Sequence, residues 1–104
     1  MPGIARADVP EHLRGKWKEV GHPENWIEFE DGKNVGGENW EGDWKGHFHF
    51  GGHEHGRYHF HKEDAHDGKL KLRKADGKEI AEGQVHHDGK SNHMKFEGHE
   101  YRRD

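Results

Sequence analysis

Apolar residues in this chain recur at every second position, in short runs separated by turn dipeptides. Trp26-Ile27-Glu28-Phe29-Glu30 puts Ile27 and Phe29 on one side of an extended segment, and Lys69-Leu70-Lys71-Leu72-Arg73 puts Leu70 and Leu72 on one side and bases on the other. Such alternation marks a strand with one buried face. Between the runs stand Asp31-Gly32, Gly36-Gly37, Gly51-Gly52, Asp67-Gly68, Asp76-Gly77 and Asp88-Gly89. These dipeptides supply the positive φ angles of tight hairpins, at the spacing of an antiparallel meander. The pattern predicts strands near 14–20, 25–31, 33–36, 39–50, 53–61, 69–74, 79–87 and 91–102. The one helical segment is Asp8 to Arg14, where Val9-Pro10 precedes Glu11-His12-Leu13, enough for a turn or two. So many short strands must close or leave long edges unpaired. The expected fold is therefore all-β: a small antiparallel up-and-down barrel of about seven or eight strands with a short N-terminal helical turn. We expect one domain spanning 1–104, with 1–10 a loosely ordered N-terminal segment.

Turn geometry then sets registers. A two-residue loop at Asp76-Gly77 places Leu72 opposite Ala81 and Leu70 opposite Gly83; one at Asp88-Gly89 places Gly83 opposite Met94 and Ala81 opposite Phe96. The last strands then share one apolar face, small residues against large, with Ile80 on the other face. Asp31-Gly32-Lys33-Asn34 and Asp88-Gly89-Lys90-Ser91 lack the oxygen-ligand spacing of a calcium loop and are expected to be hairpin turns.

Composition narrows the function classes. The chain is 27% apolar and 37% charged, with a mean hydropathy of −1.46, which borders on the disordered range. Its 17 basic and 21 acidic residues nearly cancel, however, and four Trp, two Tyr and five Phe can build a thin core. No apolar run reaches the ~18–20 residues of a spanning helix and no signal-peptide stretch opens the chain. A soluble protein without a membrane partner is expected, cytoplasmic if the chain is complete and periplasmic or secreted if a signal has been removed. With no cysteine, any metal must be held by imidazole or carboxylate. An isoelectric point near 6.3 without a basic stripe makes nucleic acid an unexpected partner.

Leu13-Arg14-Gly15-Lys16-Trp17 resembles the Gly-x-Trp opening of the lipocalin (calycin) superfamily, where a short 3₁₀ turn leads into the first strand. The resemblance implies a barrel in which Trp17 packs beneath an Arg from the end of the final strand, here Arg102 or Arg103, a geometry suited to a cation over an indole face. It also implies a small-molecule ligand in the barrel. Pro23-Glu24-Asn25-Trp26-Ile27-Glu28-Phe29-Glu30-Asp31-Gly32 is similar to the second strand of small bacterial lipocalin-like domains.

Histidine is the compositional outlier, at 13 residues. The segment from Gly46 to His61 holds the His-x-His pairs His47/His49, His53/His55 and His59/His61. On a strand each pair aims two imidazoles the same way, roughly 6.5–7 Å apart. A two-residue Gly51-Gly52 loop would divide the pairs between faces. A three-residue Phe50-Gly51-Gly52 loop puts His49 opposite His53, His47 opposite His55 and Trp44 opposite Tyr58, and collects the aromatics on the other face with Glu54. That register predicts a divalent transition-metal site, for Zn, Cu or Ni, ligated by His47, His49, His53 and His55, with His59 and His61 secondary.

The sequence is compatible with other functions as well. The histidines could form a pH-responsive binding module, since protonating all of them reverses the net charge. A histidine face turned inward could support a metal-dependent enzyme near Arg57, though no nucleophile motif or fixed acid–base pair is visible, which argues against catalysis. Trp40, Trp44 and Tyr58 could line a small-molecule cavity, or serve as core in a chain poor in aliphatics. The expected partners are thus a metal ion or a small molecule, with pairing of copies through a sheet face as a further expectation.

Overall fold

The computed structural model describes residues 9–48, 52–88, 90, 92–96 and 98–103, apart from the side chains at 48, 52 and 53. A 3₁₀ turn, Glu11–Leu13, precedes nine strands: β1 Lys16–Glu19, β2 His22–Phe29, β3 Lys33–Gly36, β4 Asn39–Phe48, β5 Gly52–Lys62, β6 Asp67–Lys74, β7 Glu79–His87, β8 Asn92–Phe96 and β9 His99–Arg103. All pairings are antiparallel and run in chain order, except that β2 also pairs with β4, from Trp26 opposite His47 to Phe29 opposite Trp44. The meander closes where β1 meets β9, with Trp17 opposite Arg103. The result is a closed eight-stranded barrel with β3 as an extra strand on the first half of β4. The all-β antiparallel barrel is as the alternation predicts, and the N-terminal helical turn falls within the expected Asp8–Arg14 segment.

The interior is filled by the alternating apolar positions. Trp17, Ile27, Trp44, Phe60, Leu70, Leu72 and Met94 are fully buried, with Val85, Tyr101 and Tyr58 beside them. Val9 and Leu13, buried from the 3₁₀ turn and its approach, plug one end. The turn is fastened there by Arg103, which donates from Nη1 to the carbonyls of Glu11 and Arg14 at 3.0 and 2.8 Å. Its guanidinium carbon lies 5.1 Å from the centre of the Trp17 ring, and Trp17 Nε1 donates to Leu13 O at 3.1 Å. Gly15, at φ +99, fits because a Cβ there would lie 2.8 Å from Arg103 Cδ. Of the two arginines that could cover Trp17, Arg103 does so; Arg102 is exposed and bonds Glu100.

Several turns and registers differ from expectation. Asp31-Gly32 is a break between β2 and β3, which pair successively with β4, and the hairpin comes at Gly36-Gly37, where φ is +129 and +55. Asp67-Gly68 lies inside β6; the turn before it is held by Asp64 Oδ1, which accepts from the amides of His66 and Asp67 at 2.8 Å each. The last predicted strand is two strands, β8 and β9, joined through Gly98 at φ +88. Leu72 opposite Ala81 and Leu70 opposite Gly83 hold, and Ile80 sits where the β6–β7 register slips, partly buried against the core. Beyond them β8 is displaced by two residues, pairing Val85 with Met94 and Gly83 with Phe96.

The central hairpin is shifted by two as well. Trp44 faces Gly56 rather than Tyr58, and His47 faces His53 rather than His55. Packing explains the choice. The observed pairing sets Tyr58 against Gly42 and Trp44 against Gly56, whereas the expected one would oppose Trp44 to Tyr58 and Gly46 to Gly56 in a narrow barrel. A Cβ at Gly42 would lie 2.7 Å from the Tyr58 ring, and one at Gly56 1.9 Å from Arg73 O. Glycine opposite each ring lets the strands keep their spacing. The Trp44 indole bonds Arg57 O and Arg73 O at 3.1 and 3.0 Å.

Candidate functional site

A two-residue shift preserves side-chain parity, so His47, His55, His59 and His61 lie on the outer face of β4 and β5, away from the core. His47 is half-buried on β4, and His55 and His61 are exposed on β5 with half-buried His59 between them. His53 is registered opposite His47, with Lys45 opposite His55. Residues 49–51, His49 among them, lie outside the described residues. The expected square of His47, His49, His53 and His55 is thus replaced, in its described part, by a cross-strand pair, His47 and His53, with His55 next along β5. On the other side of His47 stands Trp26 of β2, capped by Lys16 Nζ at 4.2 Å from its ring centre.

His59 and His61, at the far end of the row, are drawn to β4. His59 contacts Glu41 Oε2 through Nδ1 at 3.2 Å and Asn39 Oδ1 through Nε2 at 3.1 Å; His61 Nδ1 reaches the same Asn39 oxygen at 3.0 Å. Asp43 pairs Arg57 at 2.9 Å, Lys45 reaches Glu30 and Glu28 at 3.3 and 3.7 Å, and on β6 Lys69 and Lys71 stand opposite His61 and His59. The hairpin end of the row carries balanced charge, while His59 stands between the Glu41 carboxylate and Lys71, and His61 stands opposite Lys69. Among the described residues, no group of three or more His, Asp or Glu side chains is arranged as a metal site.

The aromatic candidates lie on the inner face. Trp44 and Tyr58 are buried in the core, Tyr58 OH donates to Asp31 O at 2.7 Å, and burial raises its phenol pKa well above the ordinary value. Trp40 is half-buried, its ring 6.3 Å from that of Phe60.

Three further sites arise only from register, and alternation within one segment could not find them. At the barrel end away from the 3₁₀ turn, Glu19, His22, Glu24, Asn25, His47 and His99 line a recess of about 450 Å³. Its floor is the buried Glu19 carboxylate, which accepts from Asn25 Nδ2 at 3.0 Å and meets His99 Nδ1 at 2.8 Å. Burial, with the Glu19 charge second, raises the Tyr101 phenol beside it. Under the 3₁₀ turn, His12 is buried between Phe60 and His87, with ring centres 5.4 and 5.7 Å away, and its Nε2 finds no hydrogen-bond partner. Desolvation, then the neighbouring His87, lowers its pKa. On the outer face of β6–β8, His86 lies between Asp67 and Asp88, whose hydrogen bonds, Asp67 foremost, raise its pKa. Among the described residues, no helix is long and apolar enough to cross a membrane. Comparison with protein-family models, with curated proteins and with solved structures returns no match for this chain.

Proposed function

We propose that this barrel binds a divalent first-row transition metal, Zn, Cu or Ni, on the outer face of the β4–β5 hairpin. His47, His53 and His55 are the ligands, with His49 a further ligand and His59 and His61 a secondary pair. The observation that carries the reading is the register of His47 opposite His53, with His55 next on the same row. Directly opposed residues on one face of an antiparallel pair have Cβ atoms about 4.5–5.5 Å apart, close enough for two imidazoles to share one ion. Imidazole without thiolate suits these metals, and the nearby cations Lys45 and Arg57 are balanced by Glu28, Glu30 and Asp43. Calorimetric titration of chelator-stripped protein tests it. His53→Ala/His55→Ala should weaken Zn, Cu or Ni binding by about 100-fold or more; affinity equal to the parent's overturns the reading.

We further propose kinship with the lipocalin-like barrels. Supporting it are the Gly15-x-Trp17 opening, the 3₁₀ turn before β1 and Arg103 over Trp17. A second reading, a small-molecule binder, is favoured by the recess of about 450 Å³ at the open end, since barrel mouths are common ligand sites. A fragment screen followed by amide NMR shifts tests it: shifts confined to Glu19, Asn25 and His99 support it, and none there removes it.

A further inference from the structure

We propose a second transition-metal site, separate from the hairpin, on the outer face of β6–β8, ligated by His86 and Asp88 with His93 as the third ligand and Asp67 as the positioning residue. Register assembles it: Asp67 is opposite His86 across β6–β7, and His86 is opposite His93 across β7–β8. His86 Nδ1 lies 2.7 Å from Asp67 Oδ1. A carboxylate on one ring nitrogen is the usual support of a metal-bound histidine, because it fixes the ring and directs the other nitrogen outward. That other nitrogen, Nε2, stands 3.1 Å from Asp88 Oδ2. Nitrogen and oxygen ligands at about 2.0–2.2 Å from one ion lie about 3.0–3.5 Å from each other, so the pair is already at ligand separation. The His93 ring is stacked on His86 with centroids 5.2 Å apart. Two imidazoles on one tetrahedral ion have centroids about 5 Å apart, so His93 stands at the separation of a third ligand and would have to turn out of the stack to direct a nitrogen at the ion. A recess of about 220 Å³ borders Asp67, His86 and His93, and His66, with its ring 6.2 Å from His86, flanks the other side. Mixed imidazole and carboxylate donors select a divalent ion of the Zn class.

Zn²⁺ is the probe, titrated into chelator-stripped protein at pH 7.5 with calorimetric readout. His86→Gln and Asp88→Asn should each weaken one Zn²⁺ equivalent by 100-fold or more, and His93→Ala by about tenfold, with far-UV circular dichroism unchanged. Asp67→Asn should weaken it 10–100-fold while the imidazole ¹⁵N shifts still report coordination through His86 Nε2, a signature that a merely structural role would not give. Parent-like Zn²⁺ binding in both His86→Gln and Asp88→Asn overturns the site. The hairpin variant His53→Ala/His55→Ala leaves this equivalent intact, so either site can fail without the other.

Discussion

His12 is a buried imidazole with one ring nitrogen unpartnered, and it sets a pH dependence of definite sign. Its pKa in the folded chain is lowered, by burial first and by His87 second, with Lys62 adding to the effect and Glu11 and the Asp64 backbone opposing it. Below the ordinary histidine value near 6.5 the unfolded chain takes up a proton that folded His12 refuses, so its contribution falls as pH drops from about 6.5. His86, raised by Asp67 and Asp88, works in the opposite direction: its contribution is full at low pH and is lost as pH rises through its folded value. We predict that His12→Leu, which removes the titrating ring at similar volume, loses less stability than the parent between pH 7.5 and 5.5 in urea denaturation. Parallel curves for the two proteins would contradict the assignment. Gly56 gives a prediction independent of pH. A Cβ there would fall 1.9 Å from Arg73 O, in backbone that cannot give way like a flexible side chain. Gly56→Ala should cost about 3 kcal/mol, at the upper end of overpacking effects, seen as a lower urea midpoint.

Strand register is where the sequence was partly legible. Parity needs only alternation, so the inner and outer residues of β4, β5, β6 and β7 could be read directly, with His55, His59 and His61 on one side and Tyr58 and Phe60 on the other. Register depends on which ring meets which glycine, and that is decided by the width of the closed barrel rather than by turn dipeptides. The expected Trp44–Tyr58 pair honoured parity and ignored the volume of two large rings. Interstrand NOEs should therefore connect backbone protons of His47 with His53 and Lys45 with His55; NOEs linking His49 with His53 instead would restore the expected register. The same limit hid the His86 cluster, since Asp67, His86 and His93 come from three strands and share no local pattern.

For the molecule as a whole, the two barrel ends differ. One is plugged by Val9, Leu13 and the 3₁₀ turn under Arg103; the other opens into the recess above Glu19. Arg103 joins the plug to the closing seam, so Arg103→Ala should lower stability by about 1–3 kcal/mol through loss of its charged hydrogen bonds and its contact with Trp17. Trp17 fluorescence should shift to the red as water reaches the ring; an unchanged spectrum and midpoint would show that the plug holds without it. The closed antiparallel barrel was legible in the alternation and the spacing of the turns. The branching of β4 between β2 and β3 was not, because Asp31-Gly32 has the composition of a hairpin and the geometry of a break.

The seam itself has a consequence for how the chain is made. Residues 17–19 pair with 101–103, so both β1 and β8 depend on the last strand for one of their neighbours. Pairing across so many residues is slow to form, and until residue 103 has been synthesised β1 and β8 both present open edges to other growing chains. Lys16, Lys18 and Lys95 on those two strands place like charge along both edges, the kind of charge that discourages edge-to-edge pairing between copies before the seam closes.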